Sequence, residues 1–187
     1  MNCKSILRYA IFVIVTGLIL WLAKTSVGPI SCIPIVYKSA QKYNMDPALI
    51  MAVIEIESKF DPKAISNAGA IGLMQIMPKT ARSVSRELKI KKHNKDSLYN
   101  PEINIRIGTY YLKKLLQEFG NDIDLTLAAY NAGMGNIRKW QKQKKEIPFE
   151  ETRTFIKRVK SARIKYKVLS KLHSACQYKK LCDNIKN

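Results

Sequence analysis

From Asp46 onward the apolar residues of this chain recur at three- and four-residue steps, and this period constrains the fold more than any other feature. Ile50, Val53 and Ile54 share one side of a segment running from Pro47 to Ser58, and Glu57 continues the line of Ile50 and Ile54 at i+7 and i+3. Ile103, Ile107, Tyr110, Tyr111 and Leu115 repeat the pattern after Pro101, as do Phe155, Val159, Ala162, Tyr166 and Leu169 between Glu150 and about Leu172. Start and stop signals fall where this period requires them. Asp46 is placed to cap a helix with Pro47 in its first turn, Pro78 and Pro101 open two more, Gly120 closes one, and Asp122 or Asp124 caps the helix that ends near Gly133. Shorter helical stretches are predicted over Ile35 to Tyr43, Gly72 to Met77 and Ile137 to Gln141. No stretch alternates apolar and polar residues long enough to build a buried sheet, so the predicted fold is all-α.

The chain has 187 residues. Setting aside residues 1–28 leaves 159, enough for one core and one domain. Tyr9 to Ala23 is an uncharged apolar run preceded by Lys4 and Arg8 and followed by Lys24, the pattern of an export segment. Its length sits between a signal-peptide core and a spanning helix, so a cleaved signal and an uncleaved inner-membrane anchor through residues 9–23 both remain open. The rest divides into a domain over residues 29–175 and a basic tail over 176–187, and either form of the leader places that domain in the periplasm or otherwise outside the cytoplasm, anchored or secreted.

Lys and Arg outnumber Asp and Glu by 33 to 14, a formal charge of +19. Such a surface attracts anions, and charge alone does not choose among nucleic acid, anionic lipid and acidic wall polymer. The export segment and the lack of a nucleic-acid module argue against nucleic acid. Arg153 to Lys180 holds ten Lys or Arg and no acid, either a solvated helix face or a surface pressed against anionic membrane or wall polymer. Outside the cytoplasm, Cys32, Cys176 and Cys182 meet an oxidising medium, where a Cys176–Cys182 loop, a bridge from Cys32 to either, and free thiols are all open. His93 and His173 lie far apart and no Cys/His cluster has metal spacing, so neither a metal nor another cofactor is predicted.

A lone Glu on a partly apolar helix face is usually a salt-bridged residue. What singles out Glu57 is its company. The stretch ESKFDPKAISNAGAIGLMQIMPKTA, Glu57 to Ala81, resembles the first two motifs of the soluble lytic transglycosylase (SLT) family, relatives of goose-type lysozyme. AYNAG, Ala129 to Gly133, resembles the third, and PFEETRTFIKRV, Pro148 to Val159, resembles the Glu-Thr-Arg signature that closes the domain. Four ordered motifs at family-like spacing span about residues 34 to 170.

The resemblance implies a lysozyme-like single domain, with Glu57 as the catalytic residue and Ser58 beside it. It implies that Gly72, Leu73, Met74 and Gln75 line a glycan cleft, with Met77 at a further cleft position. Ser66 corresponds to a serine that contacts an N-acetyl group, Tyr130 and Asn131 to the tyrosine flanking the catalytic carboxylate and its neighbouring amide, and Glu151 to an acid facing the cleft. Elementary chemistry agrees with these roles. An inward carboxyl on an apolar stripe resists ionisation and so remains able to protonate a glycosidic oxygen. Tyr130 is placed to orient that carboxyl, and the Gln75 amide to donate to and accept from sugar groups.

Most glycosidases use two carboxylates. No second one is evident here: Glu55 projects about 160° from Glu57 around the helix, and Asp61 reads first as the turn residue before Pro62. The family's scheme needs one carboxylate. By resemblance, the chain would cleave the β-1,4 bond between N-acetylmuramic acid and N-acetylglucosamine in peptidoglycan strands, Glu57 acting as acid and then as base, leaving 1,6-anhydro-muramoyl ends. A hydrolytic muramidase and a non-catalytic wall-binding component of a secretion machine are the alternatives, and a monomer is expected.

Overall fold

The computed structural model describes residues 31–90, 94–143 and 147–185 together with Phe12 and Thr16, with side chains as far as Lys171. Seven α-helices make up the described chain: α1 over 31–43, then α2 (Pro47–Ser58), α3 (Pro78–Glu87), α4 (Pro101–Glu118), α5 (Ile123–Ala132), α6 (Met134–Lys142) and α7 (Glu150–Ile185), with a single 3-10 turn at Asp96–Tyr99 before α4. Among the described residues β structure is limited to isolated bridges joining Ile65 to Ile71 and Ile71 to Ile76. The all-α prediction therefore holds.

Helix α2 is the axis of the molecule. Every residue from Ala48 to Ile54 is buried, so this helix is apolar on all sides and its neighbours surround it. Its start is fixed by Asp46, whose Oδ1 accepts the Ala48 N–H at 2.9 Å, with Pro47 in the first turn. Lys59 ends it in a left-handed conformation, φ 52°. Only the last turn, Glu55 to Ser58, reaches partial exposure, so the buried helix delivers its two glutamates to the domain surface at one end.

Helix α7 lies along α2 and α5, burying Phe155, Ile156, Val159 and Ala162. Two pairs secure it at opposite ends of α2. Arg163 reaches the other carboxylate oxygen of Asp46 at 2.7 Å, and Lys165 meets Glu55 at 2.6 Å. Asn100 caps α4 through the Glu102 and Ile103 N–H groups. Asp122 rather than Asp124 caps α5, and Asp124 pairs with Lys160 on α7 at 2.8 Å. The backbone of α7 runs on through residue 176, the expected start of a separate tail, to Ile185.

One predicted element is replaced. Gly72 to Met77 forms no turn of helix. Instead Ile71 and Ile76 exchange both backbone hydrogen bonds, 3.1 and 3.0 Å, closing Gly72–Gln75 as a tight turn whose ends hold φ of 76° at Gly72 and 45° at Gln75. Two left-handed residues three apart are incompatible with a right-handed helical turn.

Cys32 is a buried free cysteine, while the side chains of Cys176 and Cys182, and with them the remaining pairings, lie outside the described residues. The apolar run of residues 9–23 lies outside them too, apart from Phe12 and Thr16. Among the described residues no helix is long and apolar enough to cross a membrane.

Candidate active site

Glu57 stands in the last turn of α2, where the buried helix emerges. Burial, followed by the negative charge of Glu151, raises its pKa from the usual carboxyl range to about 8. The negative end of the α2 dipole acts in the same direction. Glu55, two residues earlier, is turned away and occupied by Lys165. Asp61 accepts the Lys63 N–H at 2.8 Å, the turn role its Asp-Pro context predicts. Among the described residues, it is Glu151, on the first turn of α7, whose charge reaches Glu57.

The loop between α2 and α3 forms the adjoining wall. Ser58 gives its hydroxyl proton to the Leu73 carbonyl at 2.8 Å and lies 3.1 Å from the Ile54 carbonyl, tying the end of α2 to the 71–76 turn. Leu73 and Met74 are in the core, 1% and 0% exposed, and their carbonyls are taken up by the Ser58 and Tyr130 hydroxyls. Gly72 is buried because nothing larger fits: a Cβ there would meet Asn104 Nδ2 at 2.4 Å and the Leu98 carbonyl at 2.5 Å. Gln75 donates its amide protons to the Ala64 and Gly72 carbonyls at 3.1 and 2.9 Å. It thus differs from the expectation that it both donates and accepts toward a sugar, since only Oε1 is left, as an acceptor. Ser66 Oγ accepts the Ala70 N–H at 3.0 Å, and its own proton has no acceptor in that bond. Met77 and Ile65 are exposed apolar side chains on this loop, 41% and 59%.

Helix α5 supplies the opposite side. Tyr130 donates its hydroxyl to the Met74 carbonyl at 2.7 Å. Burial first, then the charge of Glu57, then Tyr111, push its phenol well above the ordinary tyrosine range, which sets the ring beside both groups. Tyr130 therefore keeps its proton at all physiological pH, and its oxygen is left to accept. Asn131 takes the Thr152 hydroxyl proton on its Oδ1 at 2.8 Å, and Thr152 is 1% exposed. This bond joins the third motif to the fourth, and Glu151 is the exposed neighbour of that buried threonine.

Three residues of the site region escape sequence reasoning: Asn104, Tyr111 and Thr152. Asn104 is fully buried and bonded to the 71–76 turn. The Tyr111 ring lies 5.6 Å from that of Tyr130, and burial raises its pKa. Asn104, Gly108 and Tyr111 stand at i, i+4 and i+7 on α4, one face of one helix, and a polar residue and a glycine on that line are the signal available in the sequence. Among the described residues no three His, Cys, Asp or Glu are grouped to hold a metal ion.

Residues 34–152 match the model of the transglycosylase SLT domain. The chain is 42% identical over 120 residues to the soluble lytic murein transglycosylase of Escherichia coli K12, covering 58% of this chain and 19% of that protein. It is 39% identical over 119 residues to membrane-bound lytic murein transglycosylase C of Actinobacillus pleuropneumoniae, covering 57% of this chain and 32% of the relative. It thus spans less than a third of the length of these curated relatives. The crystal structure of the 70 kDa soluble lytic transglycosylase of Escherichia coli superposes on 73% of this chain and 24% of its own, with a TM-score of 0.69 and 34% identity. That of an inactive mutant of lytic transglycosylase Slt from Pseudomonas aeruginosa gives 75%, 24%, 0.68 and 34%. The fold, the matched span and the ordered motifs agree, and the chain belongs to the transglycosylase SLT domain family.

Proposed function

We propose that this protein is a lytic murein transglycosylase that cleaves the β-1,4 bond between N-acetylmuramic acid and N-acetylglucosamine, and that Glu57 is its single acid/base. The observation that carries this reading is a carboxyl whose pKa stands near 8 at the mouth of a buried helix, so that roughly nine in ten copies are protonated at pH 7. Such a group donates where an ordinary carboxylate accepts.

In the first step the Glu57 proton moves to the glycosidic oxygen as the bond from that oxygen to C1 of the muramic ring breaks. The N-acetylglucosamine leaves with a free 4-hydroxyl, and the substrate's own acetamide shares the positive charge left at C1. In the second step the Glu57 carboxylate takes the proton of the muramic 6-hydroxyl while O6 bonds to C1. A 1,6-anhydro ring forms, the carboxyl regains its proton, and no water enters. The ionised intermediate state of Glu57 is the costly one beside Glu151, which favours rapid return of the proton. Tyr130, with its proton on the Met74 carbonyl, keeps its oxygen as an acceptor close enough to feel the charge of Glu57. Gln75 Oε1, the Ser66 hydroxyl, Asn131 and exposed Met77 are the groups available to the sugars. The names of the relatives, and the inactivity of the Pseudomonas aeruginosa protein as a mutant with glutamine in place of a glutamate, support the same assignment. Placement outside the cytoplasm, on peptidoglycan strands and held to the inner membrane through residues 9–23 where that segment is kept, follows from this substrate. A cell-envelope secretion machine is a further setting in which such an activity opens the wall.

Digestion of purified peptidoglycan, with product ends identified by mass spectrometry, tests the proposal. Wild type is expected to yield anhydro-muramoyl ends and Glu57→Gln none. Ends heavier by one water would make the enzyme a hydrolytic muramidase instead, and wild type that binds sacculi without releasing fragments would leave a wall-binding protein.

A further inference from the structure

Helix α4 carries no motif, yet one of its faces holds the wall of the site. Asn104 is 0% exposed and its amide makes three hydrogen bonds, using both donors and one acceptor position. Nδ2 donates to the Ile71 and Leu98 carbonyls at 2.9 and 2.8 Å, and Oδ1 accepts the Met74 N–H at 2.9 Å. One side chain thus binds both halves of the Ile71–Ile76 turn to the 3-10 segment before α4. The fit is close on every side. A Cβ on Gly72 would come 2.4 Å from Asn104 Nδ2, and one on Gly108, a turn along α4, would come 2.4 Å from Met74 Sδ. Glycine at both positions lets the turn settle onto the helix.

Met74 is therefore held at both polar ends: its N–H by Asn104 and its carbonyl by the Tyr130 hydroxyl at 2.7 Å. The path from Asn104 to the reacting carboxyl is short. Its amide fixes the Met74 backbone, the Met74 carbonyl fixes the direction of the Tyr130 hydroxyl, and the Tyr130 ring, tilted against that of Tyr111 at 5.6 Å, lies where it feels the charge of Glu57. The Asn104 bond holds the 73–74 peptide and with it the Met74 Cα, from which the 74–75 peptide extends; a displacement there would carry the Met74 carbonyl away, and the tyrosine would lose the acceptor that determines where its proton points. We propose that Asn104 is a positioning residue of the active site, which sets the Tyr130 hydroxyl against Glu57 by fixing the backbone of Met74.

The inference rests on Glu57 being the acid/base. Its tests separate the two claims. Asn104→Asp keeps the shape and the acceptor for Met74 N–H but replaces the donor toward Ile71 and Leu98 with an oxygen. Per folded molecule, it is expected to lower kcat on peptidoglycan at least ten-fold with KM changed less than two-fold, and to cost less than two-fold when made on top of Tyr130→Phe. An equal loss in both backgrounds would overturn the proposal, because Asn104 would then act independently of Tyr130. So would an unchanged kcat per folded molecule, which would leave Asn104 a stability residue only. Should the wild type release no anhydro ends, the functional reading fails while the positioning claim is still read without activity. The Glu57 carboxyl, followed by carbon NMR across pH, is expected to titrate at least one unit lower in Asn104→Asp as water enters the loosened wall. Gly108→Ala, which presses Met74 from the α4 side and leaves the amide in place, is the companion variant should Asn104→Asp fail to fold, and is expected to shift Glu57 the same way. An unmoved Glu57 titration in the folded variant overturns the proposal.

Discussion

Glu57 is a residue whose charge the fold resists. Its pKa rises from 4.5 in the unfolded chain to about 8 in the folded one, so the stability that goes with a neutral carboxyl is fully present below pH 4.5 and is lost as pH climbs through 8. Glu57→Gln, which cannot ionise, is expected to match wild type in urea melts near pH 4.5 and to exceed it by an amount that grows up to pH 8, on the order of a few kcal/mol. A difference independent of pH would show that Glu57 is not held neutral. Because Glu151 contributes to the shift, Glu151→Gln is expected to bring the upper inflection of the pH–kcat profile below that of wild type. An inflection left in place would mean that this charge does not reach Glu57. The position of Glu57 on the inward line of Ile50 and Ile54 is legible from spacing alone. The direction of its pKa shift follows from the same spacing, because burial is the larger cause; the part that Glu151 adds does not, since that neighbour stands on α7, far along the chain.

At the level of elements, the helices followed their caps and their period, and the turn at Gly72–Gln75 did not. Leu73, Met74 and Gln75 are good helix formers, and nothing local to them announces a tight turn beyond a single glycine. What bends the segment is a bond from Met74 to Asn104, 30 residues later, together with the Gln75 amide folding back on the Ala64 and Gly72 carbonyls. These bonds hold Gln75 at a positive φ that costs an ordinary residue about 1 kcal/mol. Gly72→Ala tests how closely the element is built. A methyl group at φ 76° and 2.5 Å from the Leu98 carbonyl meets backbone that cannot rotate away, so a loss of at least about 2 kcal/mol in chemical denaturation is expected. A loss under about half of that would mean that the turn can shift off α4. Tyr111 and Thr152 were missed for a related reason: each lies on a helical stripe that reads as packing, and only the folded chain brings one against Tyr130 and the other against Asn131.

Over the whole molecule the organising fact is a helix with no outer face. Residues Ala48 to Ile54 are buried without a break, α7 packs along them and joins α2 to α5, and ion pairs with α7 mark the ends of α2. A large-to-small change in such a helix leaves a cavity with packed walls all round. Leu49→Ala, at a residue 1% exposed, is expected to lower unfolding free energy by about 2–5 kcal/mol, whereas removing Lys114 from its exposed pair with Glu87 is expected to cost less than about 1 kcal/mol. Comparable losses for the two in urea melts would contradict the central place given to α2. By itself the sequence determined the helical class, the Asp46 cap that begins α2, the proline that opens α4, and the carboxyl at the end of the central helix, because period, capping and motif order are local properties written over a few turns. Only the tertiary structure decided that Glu55 pairs with Lys165 while the charge of Glu151 reaches Glu57, that a turn replaces a helix at Gly72, and that α4 grips Met74. Desolvation, close approach and long-range hydrogen bonds depend on distances across the fold, which no local stretch of residues contains.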